Sequence, residues 1–178
     1  MRPDHFEVLG LPRTFRVDGR ALEERHRELT RLLHPDRHAA GGAGARRLAL
    51  EKTIAVNDAY RTLKDPVRRA VYLLQDRGVD LSESGAHRQA LPEDVLLEVL
   101  ELREELAEAR AAKDAGRIAA LAARVRTDRE SALAELHRAF DADDVAAATA
   151  QVSRIRYTDR FLDEVSAYED QVFEERHG

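Results

Sequence analysis

His34, Pro35, Asp36 and His38 stand within five residues of one another, and three chemistries suit such a group. Asp36 could cap a neighbouring helix in an ordinary turn. His34, Asp36 and His38 could offer nitrogen and oxygen ligands to a divalent metal. The tripeptide His34-Pro35-Asp36 could instead be a stiff turn that presents an imidazole and a carboxylate to a partner. Proline lowers the entropy cost of holding its neighbours in place. Asp36 can accept charge-assisted hydrogen bonds and His34 can donate one. The metal reading is the weakest, because no fourth ligand or supporting shell is visible. The chain has no cysteine, which excludes disulfides, thiolate metal sites and a cysteine nucleophile. No nucleophile–base pair, phosphate loop or metal constellation emerges elsewhere, so we expect no catalytic group and no cofactor.

The elements that must position this turn are helical. Ala, Leu, Glu and Arg dominate the 178 residues, and these are the strongest helix formers. Runs of β-branched residues bounded by turn signals are missing, so strands have little support. A short helix is predicted over residues 4–9, with Phe6 and Leu9 on one side and Gly10-Leu11-Pro12 ending it. A second runs from Asp18, a suitable N-cap, to Leu33. Leu22, His26, Leu29 and Leu33 form its inward stripe, while Arg20, Arg27 and Arg31 lie on another face with Glu24. Pro35 ends this helix by disfavouring it at the preceding residue. Residues 39–45, Ala-Ala-Gly-Gly-Ala-Gly-Ala, are expected to be a flexible loop. A third helix is predicted over 46–63, with Leu48, Ile54, Ala55, Asn57, Ala59, Tyr60 and Leu63 as its prominent positions. Pro66 suits the first position of a fourth helix over 66–74, which presents Val67, Ala70, Val71 and Leu74.

Residues 76–91 hold Gly78, Ser82, Ser84 and Gly85 without helical periodicity and read as a linker. Three longer helices follow, near 92–113, 115–140 and 144–175. Their short connections imply antiparallel neighbours. The predicted organisation is therefore all-α: a four-helix module over 1–75 and a three-helix bundle over 92–178. Charge divides the same way. Residues 1–75 carry 15 Lys and Arg against 10 Asp and Glu, and the remainder carries 14 against 24. Such asymmetry suits two modules facing different partners. The arginines lack interleaved aromatics, and acids outnumber bases overall, so nucleic acid is not an expected partner. The opening residues lack the apolar stretch of a secretory signal, and no apolar run approaches ~18 residues. A cytoplasmic protein without a membrane span is expected.

The first module resembles the J-domain family. The resemblance rests on Phe6-Glu7-Val8-Leu9-Gly10-Leu11-Pro12, on residues 26–37 through His34-Pro35-Asp36-Arg37, on Ile54 to Leu63, and on Lys64-Asp65-Pro66-Val67-Arg68-Arg69. It implies a hairpin of the second and third helices with His34-Pro35-Asp36 at its tip. It further implies that this turn and the basic face of the second helix contact a DnaK-type chaperone and stimulate its ATPase. Carried over, His34, Pro35 and Asp36 form the signalling turn, Arg27 and Arg31 are docking residues, and Arg20 and Arg37 are weaker candidates. His26 stands where a core aromatic is common in that family, and its place on the apolar stripe marks it as a packed core residue rather than a ligand.

In the second module, Val95, Val99, Leu102, Leu106 and Ala109 form one core stripe by spacing. Leu96, Leu97 and Leu100 exceed what that stripe needs and are bordered by Glu101, Glu104 and Glu108. They could widen the core contact or form a polar-rimmed partner site. In the last helix, Val145, Ala148, Val152, Ile155 and Leu162 form a stripe interrupted at Asp159, and Tyr157, Phe161 and Val165 form a second line flanked by Arg154, Arg156 and Arg160. That apolar surface also looks wider than one seam, unless the middle helix, through Ile118, Leu121, Val125, Leu133, Leu136 and Phe140, covers it.

With the linker, this half resembles the HscB family, specialised J-proteins of iron–sulfur cluster assembly. The matching stretches are residues 69–74, Leu100-Glu101-Leu102-Arg103-Glu104-Glu105-Leu106, and Arg154-Ile155-Arg156-Tyr157 with Phe161. The resemblance implies a C-terminal bundle that binds the cluster scaffold protein, IscU, and delivers it to the chaperone HscA. The residues it assigns to scaffold contact are Leu96, Leu97, Leu100, Glu101, Glu104 and Tyr157. Phenylalanine often stands where this chain has Tyr157, so its hydroxyl is expected to reach solvent or a partner. The zinc-binding cysteine motif of some eukaryotic relatives is absent, which makes the chain bacterial in type. Two other functions fit the same residues: a J-domain co-chaperone for a different client, and a non-catalytic helical adaptor.

Overall fold

Aspartate side chains start most of the helices. Asp4 Oδ1 accepts the backbone N–H groups of Phe6 at 2.7 Å and Glu7 at 3.2 Å. Asp18 does the same for Arg20 and Ala21, and Asp65 for Arg68. Asp114 takes Arg117 N–H and Asp144 takes Ala147 N–H. Each satisfies a donor that the first helical turn leaves unpaired. The structure, a computed structural model, describes residues 4–34, 42–81 and 93–177. Among them lie seven helices and no strand: α1 (His5–Leu9), α2 (Gly19–Leu32), α3 (Gly42–Lys64), α4 (Pro66–Gln75), α5 (Glu93–Ala111), α6 (Ala115–Asp141) and α7 (Val145–His177). The all-α class, with four helices followed by three, is as expected. No helix is long and apolar enough to cross a membrane among these residues.

The chain forms two compact units, Met1–Arg77 and Gly78–Gly178. In the first, Phe6, Leu9, Leu22, Val56, Ala59 and Leu63 make the core, and Leu29, Leu33, Tyr60 and Tyr72 pack on it. Gly10 closes α1 in the left-handed region at φ 64°, and a Cβ there would meet the Arg25 guanidinium at 2.9 Å. Arg25 occupies that space because its Nε donates to the Leu9 carbonyl, which α1 leaves without a helical partner. Arg69 is buried and serves α3 likewise, donating from Nη1 to the Leu63 carbonyl while its guanidinium lies 5.0 Å from the Phe15 ring. Burial pushes its pKa down, with Asp65 opposing. Arg13 pairs with Asp4 and Asp76, which ties the entrance of α1 to the exit of α4.

One sequence expectation is corrected in this unit. Gly42–Ala45, expected to be loop, form the first turn of α3. Glycine lowers helix propensity by about 1 kcal/mol, but extending an existing helix costs far less than nucleating one. Residues 39–41 lie outside the described residues.

In the second unit, Leu102, Leu106 and Ala109 of α5 meet Ile118, Leu121, Ala122 and Val125 of α6 and Phe161 and Val165 of α7. The second apolar line of α7 is therefore core, and the middle helix covers it. Asp159, which interrupts the α7 stripe, is held by Arg129 of α6. The segment that enters this unit is anchored as well: Leu81 is buried, and Arg156 Nη1 donates to its carbonyl at 2.6 Å.

The two turns of the bundle share one geometry. Lys113 at φ 51° precedes the cap Asp114, and Asp143 at φ 54° precedes Asp144. At both, the capping residue's N–H returns to a carbonyl five residues back, Ala109 and Ala139 respectively. Such left-handed positions favour glycine, because a Cβ crowds the following carbonyl. Lys113→Gly is expected to stabilise the second unit by up to about 1 kcal/mol, the relief exceeding the added entropy of the unfolded chain. Denaturant unfolding followed by circular dichroism measures this, and a lower midpoint for the variant would show the turn to be unstrained.

Candidate functional site

In the first unit, α2 and α3 pack along the stripe read from sequence, and His26 joins them. Its Nε2 lies 2.9 Å from Asn57 Oδ1, and its ring stacks on Tyr60 at 4.0 Å with 12° between planes. Asn57 Oδ1 can only accept, so Nε2 carries the proton in this pairing. His26 is thus a packed residue of the helix interface, as expected. With Leu22, Leu29 and Leu33 turned inward, Arg27 and Arg31 stand outward on α2, one turn apart. Among the described residues, Arg27 Nε makes a long contact, 3.5 Å, with the Glu23 carbonyl. Arg20 is paired with Glu24 at 3.0 Å, so its charge is already partly answered.

His34 is exposed and follows Leu33, the residue that closes α2. Pro35, Asp36, Arg37 and His38 lie outside the described residues. Among the described residues, no group of His, Asp or Glu is arranged to hold a metal ion. Leu32, Leu48, Leu50 and Ile54 are exposed on α2 and α3, so the prominent Leu48 and Ile54 are surface residues.

In the second unit, the rotation of α5 is fixed by Val99, Leu102, Leu106 and Ala109, all buried. Helical geometry then places Leu97 and Leu100 outward, and they are 57% and 56% exposed. They do not widen the core contact. The Leu96 side chain lies outside the described residues. Glu101 and Glu104, on the solvent side, follow Leu97 and Leu100 by four residues each and share their face. Three other acids of α5 are engaged within the bundle. Glu98 meets Arg154 at 3.5 Å, Glu105 meets Arg124 at 3.4 Å and Glu108 meets Arg117 at 2.9 Å. Among the described residues, neither Glu101 nor Glu104 forms an ion pair. The result is a two-leucine patch rimmed by two available carboxylates.

Tyr157 packs against the bundle with part of its side chain still exposed. Its hydroxyl donates to the Val99 carbonyl of α5 at 3.1 Å. Burial pushes its pKa up, with the Arg103 guanidinium opposing, so the phenol remains a proton donor at neutral pH. Arg154 has a role that its sequence position does not reveal. From its place on α7 it reaches Asp128 of α6 at 3.0 Å and Glu98 of α5, which clasps all three helices. Nothing in its own helix marks it out, because both partners are far away in sequence.

Two family models match the chain: the DnaJ domain over residues 4–72 and the HSCB C-terminal oligomerisation domain over residues 91–166. Co-chaperone protein HscB homologs of Burkholderia thailandensis and Burkholderia multivorans are each 34% identical over 167 residues, covering 94% of this chain and of theirs. Among solved structures, chaperone HscB from Vibrio cholerae superimposes with a TM-score of 0.79 at 33% identity, covering 96% of this chain and 99% of its own. Human co-chaperone protein HscB gives a TM-score of 0.82 at 27% identity, covering 94% and 82%. An arginine face beside the end of α2, and a C-terminal bundle with an outward leucine pair, are thus features of a chain that belongs to the HscB family of J-domain co-chaperones.

Proposed function

We propose that this chain binds an iron–sulfur cluster scaffold protein of the IscU kind on α5, delivers it to a DnaK-type chaperone of the HscA kind, and stimulates that chaperone's ATPase. The observation that carries the proposal is the α5 face, where Leu97 and Leu100 stand more than half exposed beside two carboxylates that form no ion pair among the described residues. Apolar patches with polar rims are typical docking sites. Leu96, Leu97 and Leu100 would supply the apolar contact, and Glu101 and Glu104 would pair with cations of the scaffold. Arg27 and Arg31 would meet acidic groups of the chaperone, with His34, Pro35 and Asp36 delivering the signal. Docking through exposed charges is fast, weak and salt-sensitive. The chain performs no bond-making step: the ATP site belongs to the chaperone. With no cysteine, it offers no thiolate for the cluster, which stays with the scaffold as cargo. A cytoplasmic setting suits both partners.

Single-turnover ATP hydrolysis by the chaperone tests the whole reading. Adding this chain with the scaffold is expected to stimulate more than either alone. Asp36→Asn should abolish stimulation. Leu97→Ala/Leu100→Ala should remove the scaffold's share and weaken scaffold binding roughly 10- to 100-fold, about 1.4–2.8 kcal/mol. Folding stability should stay within about 0.5 kcal/mol, since both side chains are exposed. Stimulation with no scaffold effect would instead point to a different client, and no stimulation to a helical adaptor.

Tyr157 separates packing from contact. Tyr157→Phe keeps the ring and loses the bond to Val99, so it should cost about 1 kcal/mol of stability. Calorimetric titration should find scaffold affinity within twofold of the parent. A tenfold loss of affinity at unchanged stability would make the hydroxyl a direct contact.

A further inference from the structure

Lys64 of α3 feels the charge of Glu23 on α2, while Asn57 bonds to His26. The two helices therefore run antiparallel, and these contacts mark one flank of the hairpin. The other flank belongs to α1, where Arg25 donates to the Leu9 carbonyl. On the marked flank α3 carries two large aliphatic side chains. Leu50 lies two turns before Asn57 and nearly in line with it, and Ile54 follows one turn later. They are 57% and 58% exposed. Arg27 and Arg31 stand on the outer edge of the same flank, because a residue one step beyond the inward stripe turns to the same side on each member of an antiparallel pair. Leu50 stands about 10 Å from Asn57 towards the start of α3, level with the end of α2 where His34 emerges. Ile54 stands about 5 Å from Asn57, level with the span between Arg27 and Arg31.

We infer that Leu50 and Ile54 join the arginines of α2 in one docking surface and select among DnaK-type chaperones, fitting one whose acidic docking site adjoins exposed apolar surface. This rests on the proposed docking of Arg27 and Arg31 to such a chaperone. Continuity favours that occupant: the apolar pair lies alongside the two arginines, so a chaperone that engages them faces α3 as well. Charge favours it too. Arg46, one turn before Leu50, and Arg61, two turns after Ile54, are exposed on the same flank. A second copy of this chain docking through the same face would set arginines against arginines, which is repulsive. Attraction between arginines and acids is long-ranged and tolerant of geometry, so it draws in any acidic chaperone surface. Apolar contact is short-ranged. It rewards a partner only where apolar surface meets it, and it leaves polar groups set opposite it desolvated. The arginines set the rate of encounter, and the aliphatic pair sets how long the right complex lasts.

Single-turnover ATP hydrolysis, titrated with the full chain, tests this on two chaperones, a specialised one of the HscA kind and a general DnaK. The parent should half-saturate the specialised chaperone at a concentration roughly tenfold lower than the general one. Leu50→Ser/Ile54→Ser should raise that concentration about tenfold for the specialised chaperone and narrow the preference, with the maximal stimulated rate unchanged. The double variant should keep the parent's salt dependence, whereas Arg27→Ala should flatten it. Leu50→Met/Ile54→Met should behave as the parent, and both double variants should unfold at the parent's midpoint, since the side chains are exposed. A parent that stimulates both chaperones without preference, or a serine double variant indistinguishable from it, overturns the inference and leaves the proposed function standing. A serine double variant that loses maximal rate at unchanged half-saturation overturns it as well, by placing the pair in signalling and not in docking. A parent that stimulates neither chaperone overturns both.

Discussion

The rotation of α5 about its own axis is the constraint on which the exposed surface of the second unit rests. Val99, Leu102, Leu106 and Ala109 must face α6 and α7, because their burial is the main source of cohesion in a bundle with few aromatic residues. A helix turns 100° per residue, so fixing four positions fixes all the others. Leu97 and Leu100 then have no route to the core. Turning α5 to bury them would expose Leu102 and Leu106, at about 1.5–3 kcal/mol for each leucine lost from the interior. The exposed pair is a consequence of the core and not a packing defect. Tyr157 and Arg154 lock the same rotation from α7, one through a hydroxyl on the Val99 carbonyl and the other through Glu98. They hold the exposed leucine face in place from the neighbouring helix.

The first unit obeys the same rule with different chemistry. Leu22, Leu29 and Leu33 turn α2 towards α3, and His26 completes the stripe by stacking on Tyr60 and bonding to Asn57. A histidine can replace a core aromatic there because Asn57 satisfies its ring N–H, which would otherwise be costly to bury. Arg27 and Arg31 are pushed outward by the stripe behind them. Arg25, on the flank, is diverted to the Leu9 carbonyl and to Glu28. The basic face therefore consists of the arginines that the fold does not consume.

Local signals in the sequence make most of this architecture legible. Aspartates before helical runs, Pro66 after Asp65, and stripes spaced three and four residues apart locate the helices to within a few residues at most ends. They also place His26 in the core and leave Leu97 and Leu100 in excess of one seam. What escapes them depends on distance or on cooperativity. The start of α3 is hidden because glycine propensity is a local measure, whereas helix extension is cooperative. The Tyr157 hydroxyl finds its acceptor 58 residues away, and no spacing rule reaches that far. Whether Phe161 and Val165 line a core or a surface depends on how much of α7 the middle helix covers, and a single helix's periodicity does not contain that information.

Charge sorts the acidic residues of α5 in a way that apolar spacing alone does not. Glu98, Glu105 and Glu108 are drawn to arginines on the neighbouring helices, where each exposed pair adds little stability but fixes a side chain's direction. Glu101 and Glu104 project from the face that α6 and α7 leave uncovered, so no arginine among the described residues of the bundle pairs with them. The leucine patch and the available carboxylates coincide because both follow from that one uncovered face. A partner that docks there must therefore bring apolar surface and positive charge together. That double requirement discriminates better than either demand alone, since a partner offering only one of them leaves the other half of the site desolvated and unanswered.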